Sequence, residues 1–214
     1  IDYSFTVADG RLTWNPDPSR WGAARTYSDL HIQGSGDDAV LHNTAGAIAI
    51  VESMDADLPV CKNAVREGLA NTELFGRIQV LPGGIEQIFD VAHNPAAIAN
   101  LAAFIDKRRP VRRNLAVFSM LKDKDLAEVV RLMGSRITSW HLTQLDGSRA
   151  TPLQDLADVV SNHSNSEIKM WPNPLQAYEM AMQQAYPGDR VVVFGSFYLV
   201  GAILKSVSGH PLQV

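Results

Sequence analysis

From residue 85 to residue 207, two kinds of apolar pattern take turns along the chain. IEQIFDVA, RNLAVFSML, ITSWHLTQL, SEIKMW and RVVVFGS are short apolar runs that read as strands. Each is followed by a helical pattern: residues 95–106, then DLAEVVRLMG, PLQDLADVVSN, PLQAYEMAMQQAY and FYLVGAILKSV. Five strands alternating with five helices predict an α/β fold on a mostly parallel sheet with right-handed crossovers. Such sheets bind ligands outside the carboxyl ends of their strands. The first 40 residues differ. YSFTVADGRLTW alternates apolar and polar positions around Asp9-Gly10, a hairpin signal, and PDPSRWGAARTYSD reads as loop. TAGAIAIVESM predicts a helix from Thr44, and Pro59 opens another through about Leu69. Pro82-Gly83-Gly84 is a strong breaker, so the expected division is residues 1–82 and 83–214.

Composition narrows the chemistry. The 214 residues carry a formal net charge of −4, and no basic stripe of the kind that nucleic acid requires. The densest basic run, Lys107 to Arg113, joins two predicted elements and reads as a solvated loop or a phosphate contact. No apolar run reaches membrane-spanning length and no signal peptide opens the chain. Cys61, the one cysteine, excludes an internal disulfide and is read as a small buried hydrophobe within a helix. These features point to a cytoplasmic protein. There is no internal repeat, no GxxxxGK[ST] phosphate loop, no GxGxxG after the first strand, and no HExxH, CxxC or GxSxG.

The candidate chemistry gathers at strand ends. After the first strand of the sheet come Asp90, His93, Asn94 and Pro95. Pro95 fits the first helical position and Asn94 the N-cap, while Asp90 and His93 are either turn residues or ligand contacts. The second strand runs into Lys122-Asp123-Lys124-Asp125. Either lysine could hold a carboxylate or phosphate as a point charge; alternatively the segment is a helix start with Asp123 as N-cap. The last strand ends in Gly195-Ser196, where glycine permits close backbone approach and Ser196 can donate to an anion at a helix N-terminus, or simply cap it. Three such strand ends in one sheet make an anion-binding rim.

FDVAHNP, SMLKDKD and VVVFGSFYLVGAIL together resemble the carboxy-terminal part of folylpolyglutamate synthase, including its bifunctional dihydrofolate synthase form, within the Mur ligase superfamily. LFGRIQVL resembles the family's L-P-G-R segment, with Phe75 in place of proline. LHNTAGAIAIVES resembles a helix that begins with an amide near adenine, and SRATPLQDLA the segment after the third strand. The resemblance covers roughly residues 40–205. It implies a Rossmann-like carboxy-terminal domain preceded by the end of a central ATPase domain. It also implies an ATP-dependent ligation: a folate carboxylate takes the γ-phosphoryl group, and the amine of L-glutamate displaces phosphate. Dihydropteroate or folates would be the acceptors, with Mg²⁺ as the metal. Carried over by position, Asn43 would bond adenine, Arg77 the phosphates and Asp90 the ribose hydroxyls. His93 and Ser196 would lie near glutamate, with Lys122 or Lys124 pairing one of its carboxylates. Tyr198 stands where some members have histidine.

The family's phosphate loop, Mg²⁺ ligands and modified lysine belong to an earlier part of the central domain, and no such motif occurs here. The chain is therefore expected to begin inside that domain, to hold no metal of its own and to be inactive alone; a monomer is expected. Two other readings stay open at this level. One is a Mur-type ligase acting on cell-wall precursors. The other is a nucleotide- or amino-acid-binding module without ligase activity.

Overall fold

The structure, a computed structural model, describes residues 2–21, 25–32, 38–72 and 74–207. It divides into two compact units, Ile1–Glu73 and Leu74–Val214. In the first, β1 (Tyr3–Ala8) and β2 (Arg11–Pro16) form the antiparallel hairpin about Asp9-Gly10. Asp9 and Gly10 both take positive φ, 50° and 73°, as a tight two-residue turn requires. A short helix α1 (Pro18–Trp21) and a third antiparallel strand β3 (Tyr27–His31) occupy the stretch that reads as loop. Two helices follow, α2 (Asp38–Ser53) and α3 (Lys62–Asn71).

Both helices start elsewhere than the sequence pattern places them. α2 begins six residues before Thr44, because Leu41 joins Ala45, Ile48 and Ala49 on one buried face that packs on Leu12, Trp14 and Tyr27. α3 begins three residues after Pro59. The Val60 carbonyl accepts Arg25 Nη1 at 2.6 Å and so leaves the helical ladder. Cys61 is consequently exposed, not buried; it is the N-cap, its Sγ accepting the Ala64 N–H at 3.4 Å. Buried Glu52 ties this unit together, accepting from Tyr27 Oη at 2.5 Å and from Arg25 Nε at 3.0 Å.

The second unit is a six-stranded sheet between two helical layers. Its strands are β4 (Gln79–Leu81), β5 (Glu86–Asp90), β6 (Asn114–Phe118), β7 (Ser139–Thr143), β8 (Glu167–Trp171) and β9 (Arg190–Phe194). The order is β4-β5-β9-β6-β7-β8; β4 is antiparallel and the other five are parallel. Pro82-Gly83-Gly84 thus lies inside this unit, in the turn that folds β4 back onto β5, and the units divide at residue 73. Three residues of half-buried strand are too short for periodicity to reveal, which is why β4 went unpredicted.

The helices alternate with the strands as the pattern predicts: α4 (Pro95–Lys107), α5 (Leu126–Met133), α6 (Leu153–His163), α7 (Pro174–Gln184) and α8 (Phe197–Val207). Side chains alternate across the sheet. Ile88, Ala116, Val192 and Phe194 face α4, α5 and α6, whereas Phe89, Val117, Val191 and Val193 face α7 and α8. The central strands β6 and β9 are therefore apolar at four of their five positions each, since both faces are covered there. The chain leaves β5 toward one layer and β9 toward the other. Because β9 lies between β5 and β6, the loops part above it and open a crevice at the carboxyl ends.

The basic run closes the opposite end of the sheet. Arg190, 1% exposed, donates to Glu86 at the start of β5, and Arg108 donates to the same carboxylate. Arg113 Nη2 meets Asp189 at 2.6 Å. Arg108 and Arg113 are thus neither a solvated loop nor a phosphate site; they neutralise buried carboxylates at the strand starts.

Candidate functional site

Four of the seven predicted site residues stand at the carboxyl ends of β5 and β9 or beside them. Asp90 ends β5, in register with Phe194 at the end of β9, and is 5% exposed. Its Oδ1 accepts the Ala92 N–H at 2.8 Å, which fixes the carboxylate in a tight turn at the crevice. His93 follows three residues after Asp90. Its Nδ1 lies 2.8 Å from the Val91 carbonyl oxygen. A carbonyl only accepts, so Nδ1 carries the proton in the neutral ring and Nε2 presents a lone pair. Asn94 caps α4, its Oδ1 accepting from Ala97 N at 2.9 Å, and Pro95 takes the first helical position, as the sequence predicts.

Ser196 sits where β9 turns into α8 and is 3% exposed. Its Oγ accepts the Tyr198 N–H at 3.1 Å, so the hydroxyl caps the helix and keeps its own proton to donate. Gly195 before it has φ +110°, and a β-carbon there would lie 2.5 Å from the Ser119 carbonyl oxygen. Only glycine lets β9 and the end of β6 approach this closely.

Arg77 belongs to the second unit and reaches the same end of the sheet. It sits in an unusual turn: Gly76 has φ +67° and Ile78, a β-branched residue, φ +45°. The Gly76 carbonyl accepts the Val91 N–H at 2.8 Å, and its Cα is closed in by the Val91 and Val200 side chains. Such backbone strain, about 1–3 kcal/mol, persists where the surroundings over-determine it. The Arg77 side chain is exposed and has no carboxylate within ion-pair distance among the described residues. Its guanidinium lies over the Phe197 ring, 5.5 Å from the centroid, and the His93 ring is 5.7 Å from the same centroid. Arg77, His93, Phe197 and Ser196 therefore form one group beside Asp90.

The lysines are placed differently. The loop after β6 is clipped to residues 149–151 by Lys122 N–H to Arg149 O at 3.0 Å and Thr151 N–H to Met120 O at 3.2 Å. That delays the next helix, so Asp125 is the N-cap of α5, accepting from Glu128 N at 3.1 Å. Asp123, predicted as that cap, instead pairs with Arg149 at 2.9 Å and with Lys124 at 3.2 Å. Lys124 is thus partly neutralised, whereas Lys122 is exposed with no carboxylate in ion-pair distance among the described residues. Asn43 lies on the first unit, exposed in the second turn of α2 and not at its start. Among the described residues, no group of three or more His, Cys, Asp or Glu could hold a metal ion. No helix among them is long and apolar enough to cross a membrane.

Residues 76–197, from the glycine before Arg77 to the ring beneath it, match the Mur ligase glutamate ligase domain. The chain belongs to the Mur ligase family. Within that family it is 33% identical over 168 residues to the dihydrofolate synthase/folylpolyglutamate synthase of Escherichia coli K12, covering 78% of this chain and 38% of that protein. Escherichia coli FolC in complex with ADP superposes with a TM-score of 0.76 at 28% identity, over 98% of this chain and 47% of that one. A bifunctional folylpolyglutamate synthase/dihydrofolate synthase with Mn, AMPPNP and L-glutamate bound gives 0.73 at 25%, over 97% and 46%. The chain spans less than half the length of these relatives.

Two features of this Mur ligase domain escaped the sequence reading. Phe197 gives no signal in a helix whose later apolar residues are simply core. Nor does the sequence show that His141 on β7 is fully buried, its Nδ1 accepting from Trp171 Nε1 at 3.1 Å.

Proposed function

We propose that this chain is the carboxy-terminal portion of an ATP-dependent ligase that adds L-glutamate to dihydropteroate, to folyl-glutamates, or to both. The grouping of Arg77, Asp90, His93 and Ser196 at one end of the sheet carries this reading. In it, the acceptor carboxylate attacks the γ-phosphorus of ATP, releasing ADP and forming an acyl phosphate. The amine of glutamate then attacks the acyl carbon, phosphate leaves with the bonding electrons, and the nitrogen gives up a proton. The protein's task is to position three anionic partners and stabilise charge on the moving phosphoryl group.

Each residue suits its assigned part. The Asp90 carboxylate can accept from both ribose hydroxyls. Arg77, with no carboxylate in ion-pair distance among the described residues, presents a full positive charge to the phosphates. His93 Nε2 accepts, and the Ser196 hydroxyl donates, on the glutamate side. Lys122, with no carboxylate in ion-pair distance among the described residues, suits a glutamate carboxylate better than Lys124, which already holds Asp123. Asn43 is assigned to the adenine edge. Mg²⁺ would serve the phosphates from ligands outside this chain, and the protein is assigned to the cytoplasm as a monomer. The relatives' dual names support folate ligation over a cell-wall acceptor.

The test begins with an antibody to this chain and the size of the native protein it detects. That native protein is assayed with ATP, Mg²⁺, L-glutamate and dihydropteroate or a folate. ADP release matched by a glutamyl-extended acceptor supports the proposal. ATP-dependent product on wall precursors alone sinks it. The isolated 214-residue chain, which has no phosphate loop, should make no product.

A further inference from the structure

We propose that Phe197 is a positioning residue, an aromatic platform that holds the Arg77 guanidinium and the His93 imidazole in fixed relation to each other. This rests on the reading of Arg77 as a phosphate contact and His93 as its neighbour on the glutamate side. Phe197 opens α8 and is 55% exposed, while Leu199, Val200, Ile203 and Leu204 of the same helix are buried. The ring therefore contributes little to the core. What it touches are two candidate site residues from two other segments, at 5.5 Å and 5.7 Å from its centroid.

The choice of an aromatic partner has a physical consequence. A carboxylate could also immobilise Arg77, but it would neutralise the charge and occupy the guanidinium N–H groups. The negative face of a phenyl ring attracts the cation without a counter-charge and leaves all five donors at the edge of the plane for an anion. Arg77 has no carboxylate within ion-pair distance among the described residues, so the ring is the partner the structure gives its charge. The backbone is held by the same segments. The Gly76 carbonyl bonds Val91 N, two residues before His93, and the Gly76 Cα packs on Val200, three residues after Phe197. Arg77, His93 and Phe197 thus move as one body, and a long side chain that would otherwise sample many rotamers is restricted before ligand arrives.

The experiment compares Phe197→Leu, Phe197→Tyr and Arg77→Ala in the 214-residue chain by NMR, with inorganic tripolyphosphate as the probe. Amide spectra away from residues 76–78, 91–95 and 195–199 should be unchanged in each variant, since both side chains are exposed. In the wild type and Phe197→Tyr, the Arg77 Nε–H and His93 ring protons should show ring-current shifts, and both should move to random-coil positions in Phe197→Leu. Tripolyphosphate should bind roughly three- to tenfold more weakly to Phe197→Leu, near wild type to Phe197→Tyr, and weakest to Arg77→Ala. Wild-type affinity in Phe197→Leu together with loss in Arg77→Ala overturns the role of Phe197 and leaves the phosphate reading standing. Wild-type affinity in Arg77→Ala overturns the phosphate reading itself. Random-coil positions for both groups in the wild type overturn the platform outright.

Discussion

Replacing Gly195 by alanine tests the packing that creates the crevice. Two costs add. The backbone sits at φ +110°, outside even the left-handed helical well, which costs an L-residue about 1–2 kcal/mol. The new β-carbon would also lie 2.5 Å from the Ser119 carbonyl oxygen and 2.7 Å from Phe118 Cε2. Neither neighbour yields easily. The carbonyl belongs to the backbone just past β6, and fully buried Phe118 is packed against Phe194 and Trp140 at centroid distances of 4.9 Å and 5.5 Å. Relieving that overlap adds about 1–3 kcal/mol, for a total of about 2–5 kcal/mol. Gly147 supplies the control: its φ is +99°, but nothing lies within 4 Å of its added β-carbon, so Gly147→Ala should show the backbone cost alone. Urea unfolding followed at amides of residues 191–193 reports on the second unit without interference from the first. Equal losses for the two variants would refute the claim that steric exclusion at β6 fixes residue 195 as glycine.

Other outcomes follow from buried charge. Glu86→Gln leaves Arg190 buried without its anion and should destabilise the second unit by about 3–5 kcal/mol in urea. The hydrogen bond from Arg108, joined by Arg190, holds the Glu86 carboxyl below its ordinary value despite burial. A lowered folded pKa stabilises above the unfolded value of 4.5 and loses that contribution as pH falls through the folded value. The gap between wild type and Glu86→Gln should therefore narrow below pH 4.5; a constant gap down to full acid unfolding would contradict this. Burial, aided by the Lys169 charge, pushes His141 down from 6.5 to about 4. The unfolded chain then takes up a proton that the folded chain refuses, so stability should fall by about 3 kcal/mol between pH 6.5 and pH 4. An imidazole titration midpoint near 6.5 for His141 in the folded protein would be inconsistent with its burial.

The parallel sheet was legible because its strands are buried on both faces and its helices on one, and those two burial patterns have different periods. Caps were legible where the cap is local: Asn94 and Pro95 fit α4 as read. They failed where a distant group intervened. Arg25 takes the Val60 carbonyl and moves the start of α3; Arg149 and Thr151 clip the loop after β6, and the cap passes from Asp123 to Asp125. The site was legible only as separate strand-end signals, since nothing local says that residues 77, 93 and 197 share one ring.

By itself, then, the sequence determined the alternation of strands and helices, the absence of a phosphate loop and the residue types along the rim. All of these depend on neighbours in the chain or on which residues are present at all. The tertiary structure alone decided the insertion of β9 between β5 and β6, the antiparallel β4, the inward turn of Arg108 and Arg113, and the meeting of Arg77 with His93 over Phe197. Those depend on which residues meet in space, and the energies of such contacts are set by packing and desolvation rather than by local propensity.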